Sequence, residues 1–169
     1  MKKPEKIIIL GIDPGIGRLG WAWVKHDTHG VKLGEFGCVE TPQGRFRLRD
    51  MSRALKKIVR QVNPDLAAVE KLFFAKNVKT ALQVSEARGA TLTLLQEEDI
   101  PILEPTPLQV KQLITGFGHA PKRDLQLILK KEFLLKSIPQ PDDAADALAI
   151  ALWAVHARNL PVFWGETPK

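Results

Sequence analysis

The segment that most constrains the fold is residues 7–26, IIILGIDPGIGRLGWAWVKH. Its apolar run, residues 7–12, is typical of a buried strand, and residues 20–25 have the β-forming side chains of a second strand. Because only a short glycine-containing connection separates the two runs, we expect them to pair as antiparallel neighbours. Residues 31–40, VKLGEFGCVE, predict a third strand, so the chain opens with an antiparallel meander.

The spacing of a dinucleotide-binding fingerprint is also present in this segment, at Gly15, Gly17 and Gly20. Such a fingerprint requires a helix after the glycines, because the helix N-terminus holds the pyrophosphate. Here the residues that follow Gly20 are WAWVK, which predict a strand. We therefore interpret the glycines as a hairpin turn, which needs their backbone freedom, and not as a cofactor site.

Predicted helices and strands alternate over the rest of the chain. The helices occupy residues 45–62, 77–97, 107–114, 121–135 and 141–157, and the strands occupy residues 66–70 and 100–104. Gly89 is a candidate break in the second helix. Three antiparallel strands followed by strands that alternate with helices predict an α/β fold, with a mixed five-stranded sheet flanked by helices.

Length and composition favour one globular domain. The chain has 169 residues, of which 44% are hydrophobic, enough to bury a sizeable core. We expect a single domain over residues 1–169, with its core at about residues 7–157 and short tails. Cys38 is the one cysteine, which excludes an internal disulfide framework. No segment is long enough to span a bilayer, so we expect a cytoplasmic protein that does not contact a membrane.

The net charge is positive and unevenly placed. The formal charge is +6, and residues 45–60, RFRLRDMSRALKKIVR, hold seven basic side chains and one acid. A basic balance favours nucleic acid as a partner. A solvated helix face explains the segment equally well, so whether this helix contacts DNA stays open.

Acidic residues follow the apolar runs in a repeated pattern. Asp13 ends the first run, and Glu70 ends the run LAAVE. In QPDDAADALAIALWAV, Asp143 and Asp146 are three residues apart, so a helix places them on one face. The alternatives are a turn aspartate at residue 13 and acids that favour a helix N-terminus, a description that suits Asp142.

Four carboxylates in one cleft would repel one another and would be stable only with cations between them. A set of oxygen ligands without histidine or cysteine selects Mg²⁺, with Mn²⁺ as a substitute. Two such ions per site, bridged by a central aspartate, suit the hydrolysis of a phosphodiester.

Several motifs together, ILGIDPG, GWAWV, GCVET, AVEKLFFAKN, ALQVSEARGA, PLQVKQLITGFG and PDDAADALAIA, make the chain resemble the RuvC family of Holliday-junction resolvases. The resemblance implies an RNase H-like fold, a homodimer, and Mg²⁺-dependent cutting of four-way junction DNA by paired symmetric nicks on two opposed strands. The cuts would leave 5′-phosphate and 3′-hydroxyl ends, in homologous recombination and DNA repair. It also implies a branch-migration helicase complex of the RuvA and RuvB type as a partner.

The resemblance also implies roles for single residues. The catalytic and metal-binding acids fall on Asp13, Glu70, Asp143 and Asp146, while Asp142 stays outside the site. The basic residues beside the cleft fall on Lys111 and Lys122, the second also catalytic, and Arg123 is an alternative to Lys122. The aromatic residue that enters the junction falls on Phe73. Lys76 lies nearby in sequence, and an aromatic residue beside a cation suits an unpaired base and its phosphate.

Other functions remain as alternatives. A transposase-type nuclease or an RNA:DNA hybrid nuclease would share the fold, and a non-catalytic junction-binding module would be expected to lack the acids. The paired acids of the last helix and the segment KLFFAKN favour the resolvase. The preferred cleavage sequence, the faces that form a dimer and the helicase docking surface are not legible in the sequence.

Overall fold

The computed structural model describes residues 6–15, 17–41, 44, 47–71 and 78–157. Its strands are β1 (Ile7–Pro14), β2 (Arg18–Asp27), β3 (Gly30–Glu40), β4 (Leu66–Val69) and β5 (Ile102–Leu103). Its helices are α1 (Arg47–Val62), α2 (Val78–Glu97), α3 (Pro107–Thr115), α4 (Lys122–Glu132) and α5 (Asp142–Ala157). The predicted order of strands and helices is confirmed. The candidate break at Gly89 is wrong, because α2 continues through this residue.

The strands form one mixed sheet in the order β3-β2-β1-β4-β5. The first three strands pair antiparallel, whereas β4 pairs parallel to β1 and β5 pairs parallel to β4. A parallel pair needs a crossover connection, and α1 and α2 lie in the two crossovers. The predicted mixed five-stranded sheet is therefore confirmed.

Strand β1 is buried on both faces, which explains its unbroken apolar sequence. Successive side chains of a strand point to opposite faces of the sheet. Ile9 accordingly packs in the cluster that contains α5, whereas Leu10 and Ile12 pack with side chains from α1 and α2. By the same alternation Asp13 shares the face of Ile9 and lies on the α5 side.

Two glycines let α5 lie directly on the sheet. A Cβ atom on Gly11 would stand 2.2 Å from the carbonyl oxygen of Ala147, and one on Gly20 would stand 1.9 Å from that of Asp143. No side chain fits at either distance, so the backbone of the helix contacts the backbone of the strands. Because Gly20 is the residue paired with Asp13, this contact places the first turn of α5 beside Asp13.

The glycine-rich turn connects β1 to β2 as a hairpin. The Gly15 N–H donates to the Arg18 carbonyl at 2.9 Å, and Gly17 has a φ of 68°, a value that favours glycine. The hairpin interpretation is confirmed. Gly20 lies within β2 and serves the approach of α5, not a phosphate.

No helix in the described part of the chain is long and apolar enough to cross a membrane. The boundaries of the single domain and the cytoplasmic localisation stay predictions.

Candidate active site

Two predicted acids lie at one end of the sheet because β1 and β4 are parallel. Asp13 is the penultimate residue of β1, and Glu70 directly follows β4. The Glu70 N–H donates to the Ile12 carbonyl at 3.2 Å, which continues the parallel pairing past the end of the strand. The carboxyl ends of parallel strands meet at one edge of a sheet, so two acids far apart in sequence become neighbours.

Helix α5 adds the other two predicted acids. The Asp143 backbone contacts Gly20, the partner of Asp13, and Asp146 follows one helical turn later. The charges on Glu70, Asp146 and Asp143 all raise the pKa of Asp13. The structure therefore brings Asp13, Glu70, Asp143 and Asp146 together, and we call this group the acid cleft.

The carboxyl groups of the acid cleft are poorly solvated. Burial, followed by the neighbouring negative charges, raises the pKa of Asp13 well above its usual value. Burial and then the Asp146 charge raise the pKa of Glu70 from 4.5 to about 7. Burial also raises the pKa of Asp146, although Lys122 acts in the opposite direction. Each shift means that the cleft disfavours the negative charge unless a cation compensates it.

Lys122, at the start of α4, supplies one such cation. Its Nζ donates to Oδ2 of Asp146 at 2.8 Å and lies 3.4 Å from Oδ2 of Asp142. Burial by itself lowers the pKa of Lys122, but the hydrogen bond with Asp146 and its charge raise the pKa overall. Asp142, which the sequence analysis left outside the site, is thus a second carboxylate beside this lysine.

A cavity of about 220 Å³ opens beside these groups. Its walls are Glu70, Pro107, Val110, Lys111, Lys122, Leu125, Asp146 and Ala149. Both predicted lysines, Lys111 and Lys122, thus share a cavity with two of the acids. Lys122 and not Arg123 lines this cavity. Phe73 and Lys76 lie outside the described residues.

Arg18 is a site residue that the sequence analysis missed. One Nη atom lies 3.7 Å from Oδ2 of Asp143, and the other donates to Oε1 of Glu40 at 2.8 Å. Arg18 and Glu40 are partners in the β2–β3 pairing. Arg18 thereby forms an ion pair with Asp143 from the sheet, a contact that depends on strand register.

Arg88, on α2, is a second missed residue. Its Nε donates to the Glu70 carbonyl at 2.9 Å, and its guanidinium also pairs with the Glu104 carboxylate. Glu70 and Glu104 directly follow the parallel strands β4 and β5. Arg88 therefore holds the backbone of a cleft acid and joins two strand ends. The only sequence signal was a basic residue in the motif SEARGA.

The donor chemistry of the acid cleft fits a hard divalent cation. Within residues 6–15, 17–41, 44, 47–71 and 78–157, no three His, Cys, Asp or Glu side chains converge closely enough to enclose an ion. Asp146 is paired with Lys122 instead. The cleft nevertheless offers only carboxylate oxygens whose negative charges repel one another, and this is the donor set that Mg²⁺ and Mn²⁺ prefer.

Comparison with known proteins identifies the family. The family profile described as "Crossover junction endodeoxyribonuclease RuvC" matches residues 9–154, most of the chain. The chain belongs to the RuvC family. The RuvC of Chloroflexus aurantiacus is 45% identical over 155 residues, which cover 90% of this chain and 93% of the relative.

Solved RuvC structures agree with this assignment. The Thermus thermophilus RuvC structure has a TM-score of 0.82 and 35% sequence identity to this chain. The match covers 90% of this chain and 96% of the Thermus thermophilus chain. Thermus thermophilus RuvC in complex with a Holliday junction substrate has a TM-score of 0.83 at the same 35% identity. This match covers 90% of this chain and 95% of the Thermus thermophilus chain.

The RuvC assignment confirms the predicted RNase H-like fold and the predicted enzyme class, a crossover junction endodeoxyribonuclease that resolves Holliday junctions. Membership of the RuvC family also implies dependence on a divalent metal. The roles of single residues stay predictions.

Proposed function

We propose that this RuvC-family protein binds four-way junction DNA and hydrolyses one phosphodiester in each of two opposed strands at the acid cleft. The observation that carries the proposal is the placement of four predicted acids, from β1, the end of β4 and α5, at one end of the sheet. Their mutual repulsion does not stabilise the fold. We therefore infer that the acids bind a cation, which in turn contacts an anionic substrate. The products are a 5′-phosphate and a 3′-hydroxyl.

The acid cleft would hold two Mg²⁺ ions, for which Mn²⁺ can substitute. Asp13, whose pKa the charges of the other three acids raise, would hold the metal together with Glu70, Asp143 and Asp146. When bound, the metal supplies a Lewis acid that lowers the pKa of water and offsets charge on the phosphate oxygens. Arg18 and Arg88 are positioning residues, since the first anchors Asp143 and the second anchors the Glu70 backbone.

The two cavity lysines would bind the DNA strand. The hydrogen bond from Lys122 to Asp146 places its ammonium beside the acids. We assign it to the phosphate that is cut, where a point charge offsets developing negative charge. Lys111, on the same cavity wall, would bind a phosphate of the same strand. Phe73 and Lys76 would bind an unpaired base and its phosphate.

Two strands require two acid clefts, and a homodimer with two-fold symmetry supplies one for each. We propose that the protein acts as a homodimer and that a helicase complex of the RuvA and RuvB type is its partner. Support for junction binding comes from the Thermus thermophilus RuvC complex with a Holliday junction substrate, which is 35% identical to this chain.

The proposed function is tested with three substrates side by side: a four-way junction, plain duplex DNA and an RNA:DNA hybrid, each with Mg²⁺ or with EDTA. We expect paired symmetric nicks on the junction alone, abolished by EDTA. Cleavage of the hybrid in preference to the junction would instead identify a hybrid nuclease. Junction binding without nicks at any metal concentration would identify a non-catalytic module.

A further inference from the structure

The connection between α3 and α4 presents an aromatic ring to solvent and leads into Lys122, which lies beside the acid cleft. In the sequence GFGHAP, residues 116–121, the Phe117 side chain is 61% exposed. Leu108, on α3, is a second large apolar side chain at the surface and is 51% exposed. Gly118, the residue after Phe117, lies against the Leu108 side chain. Exposed apolar side chains in one region of a surface mark a binding site more often than isolated ones do.

This connection is held in a defined conformation. The Gln112 side chain donates to the Gly116 carbonyl at 2.9 Å and accepts from the Gly118 N–H at 2.8 Å. The Phe117 N–H donates to the Thr115 hydroxyl at 3.1 Å. The His119 ring stands edge-on to the Phe117 ring, with 5.9 Å between centroids. The exposed ring is thus presented by a braced loop, which lowers the entropy cost of binding to it.

A pocket of about 270 Å³ lies at the base of this loop. Its walls are Thr106, Pro107, Leu108, Lys111 and Gly118. Pro107 and Lys111 also line the cavity of the acid cleft, so the two cavities share a wall that contains a cation. A Cβ atom on Gly118 would stand 3.1 Å from the Leu108 side chain, so the glycine lets the loop lie against α3 at this wall.

We propose that this pocket and the Phe117 ring form a subsite for an unpaired nucleobase of the cleaved strand, next to the phosphate that is cut. The inference rests on the proposed function, because a strand bound at the acid cleft reaches the adjoining pocket first. Lys111, between the two cavities, binds the intervening phosphate. The subsite would make the choice of cleavage position depend on the base beside the cut.

The chemistry of the surface favours a base over other occupants. Every nucleobase has a π face that stacks on an aromatic side chain, and only an unpaired base next to a crossover has such a face free. A cation between an apolar pocket and an acidic cavity matches the alternation of base and phosphate along one strand. A protein partner at this site would compete with the DNA strand for the shared wall.

The experiment uses the Asp13→Asn protein with Mg²⁺, so that the junction stays uncut. Four-way junctions carry a fluorescent adenine analogue at one position at a time on either side of the cut. We expect one position to change fluorescence on binding, and Phe117→Ala in the same background to abolish that change. The affinity for the junction should fall roughly 5- to 150-fold, the range for loss of one stacked base. Phe117→Trp should restore both signals.

Leu134→Ala is the matched control, because Leu134 is an apolar side chain outside the pocket that is 89% exposed. Equal fluorescence and affinity for the Phe117→Ala and Leu134→Ala proteins would overturn the subsite. So would a Phe117→Ala protein that changes only its oligomeric state by light scattering, since the ring would then be a contact between copies. Nicking of the junction by the unsubstituted protein, measured beside these variants, tests the proposed function separately from the subsite.

Discussion

Two clusters of charged residues lie in different parts of the molecule, and they are built in opposite ways. In the first, which we call the helix cluster, Lys56 and Arg60 of α1 pair with Glu98 at 3.0 Å and 3.3 Å. The hydrogen bond from Lys56 lowers the pKa of Glu98. In the acid cleft, burial and like charges raise the pKa of Asp13 and of Glu70.

The contrast teaches that charge density alone does not mark a functional site. Residues 45–60, most of which lie in α1, hold seven basic side chains and therefore suggested a nucleic-acid contact in the sequence. In the structure Lys56 and Arg60, and also Arg47 through Glu86 at 3.0 Å, form ion pairs within the protein. These pairs favour the solvated-face interpretation for Lys56 and Arg60, whereas the Arg47 side chain is largely buried. The acid cleft, where Lys122 and Arg18 only partly offset buried like charges, is where chemistry is expected.

The largest expected effect is that of Asp13→Asn, which removes the acid on which the other charges converge. Cutting of four-way junctions should fall by roughly a thousandfold or more, while junction binding is retained. In EDTA the melting temperature should rise, because one buried repelling charge is gone. Single-turnover cleavage and thermal unfolding measure the two effects. Asp99→Asn, at an exposed position, is the control, and wild-type cutting by the Asp13 variant would refute the site.

Gly20→Ala should damage the acid cleft through packing. The new Cβ would overlap the Asp143 carbonyl at 1.9 Å, and overpacking of this kind costs about 1–3 kcal/mol of the free energy of unfolding or more. Gly89→Ala is the matched control, because a Cβ there meets nothing within 4 Å and should stabilise α2 by about 0.5–1 kcal/mol. Denaturant unfolding measures both, and equal stability of the two variants would contradict the close contact of α5 with β2.

Arg88→Gln and Arg60→Gln compare the two clusters directly. Loss of the Arg88 bond to the Glu70 carbonyl should lower cutting by roughly 10- to 100-fold, the range for residues that orient metal ligands. The Mg²⁺ concentration required for half-maximal rate should rise with it, a change that lost stability alone does not produce. Arg60→Gln, in the helix cluster, should leave both quantities unchanged. An equal loss in both variants would remove the distinction between the clusters.

The stability of the metal-free protein should depend on pH through Glu70. Its pKa is raised from 4.5 to about 7, so between these values the folded protein holds a proton that the unfolded chain has released. The stabilisation is complete below about pH 4.5 and is lost as the pH rises to about 7. Melting temperatures in EDTA should fall across this window, and Mg²⁺ should flatten the decline. Glu70→Gln should weaken the dependence, and an unchanged slope in that variant would exclude Glu70 as its source.

The smallest effect is expected for Glu98→Gln in the helix cluster. Its ion pairs lie at the surface and are partly exposed, with Arg60 at 65% and Glu98 at 21%, and surface pairs contribute about 0.2–1 kcal/mol. The free energy of unfolding should fall by no more than that at low salt, and the difference should shrink as salt screens the charges. Junction cutting should not change. A large loss of cutting would show that the helix cluster also belongs to the functional surface.

Much of the candidate site follows from local sequence patterns. Asp13 and Glu70 each end an apolar run, and strands in a crossover arrangement carry such ends to one edge of the sheet. Asp143 and Asp146 share a helix face because of their spacing alone. The order of motifs was sufficient to indicate the RuvC family. The break at Gly89 was wrong because a glycine in a helix interior costs only about 1 kcal/mol, which neighbouring residues can offset.

The sequence by itself thus determined the strands and helices and the family, and it singled out the four acids as candidates, because each depends on residues close together in the chain or on their order. Only the tertiary structure decided that Arg18 pairs with Asp143, that Arg88 holds Glu70, and that Lys122 and not Arg123 lines the cavity beside Asp146. The Arg18 contact depends on the β2–β3 register and on the close approach of α5 to Gly20. The Arg88 contact depends on how α2 packs beside β4, and the Lys122 contact on how α4 packs against α5. All three are set by how separate elements pack, and local patterns do not encode such distances.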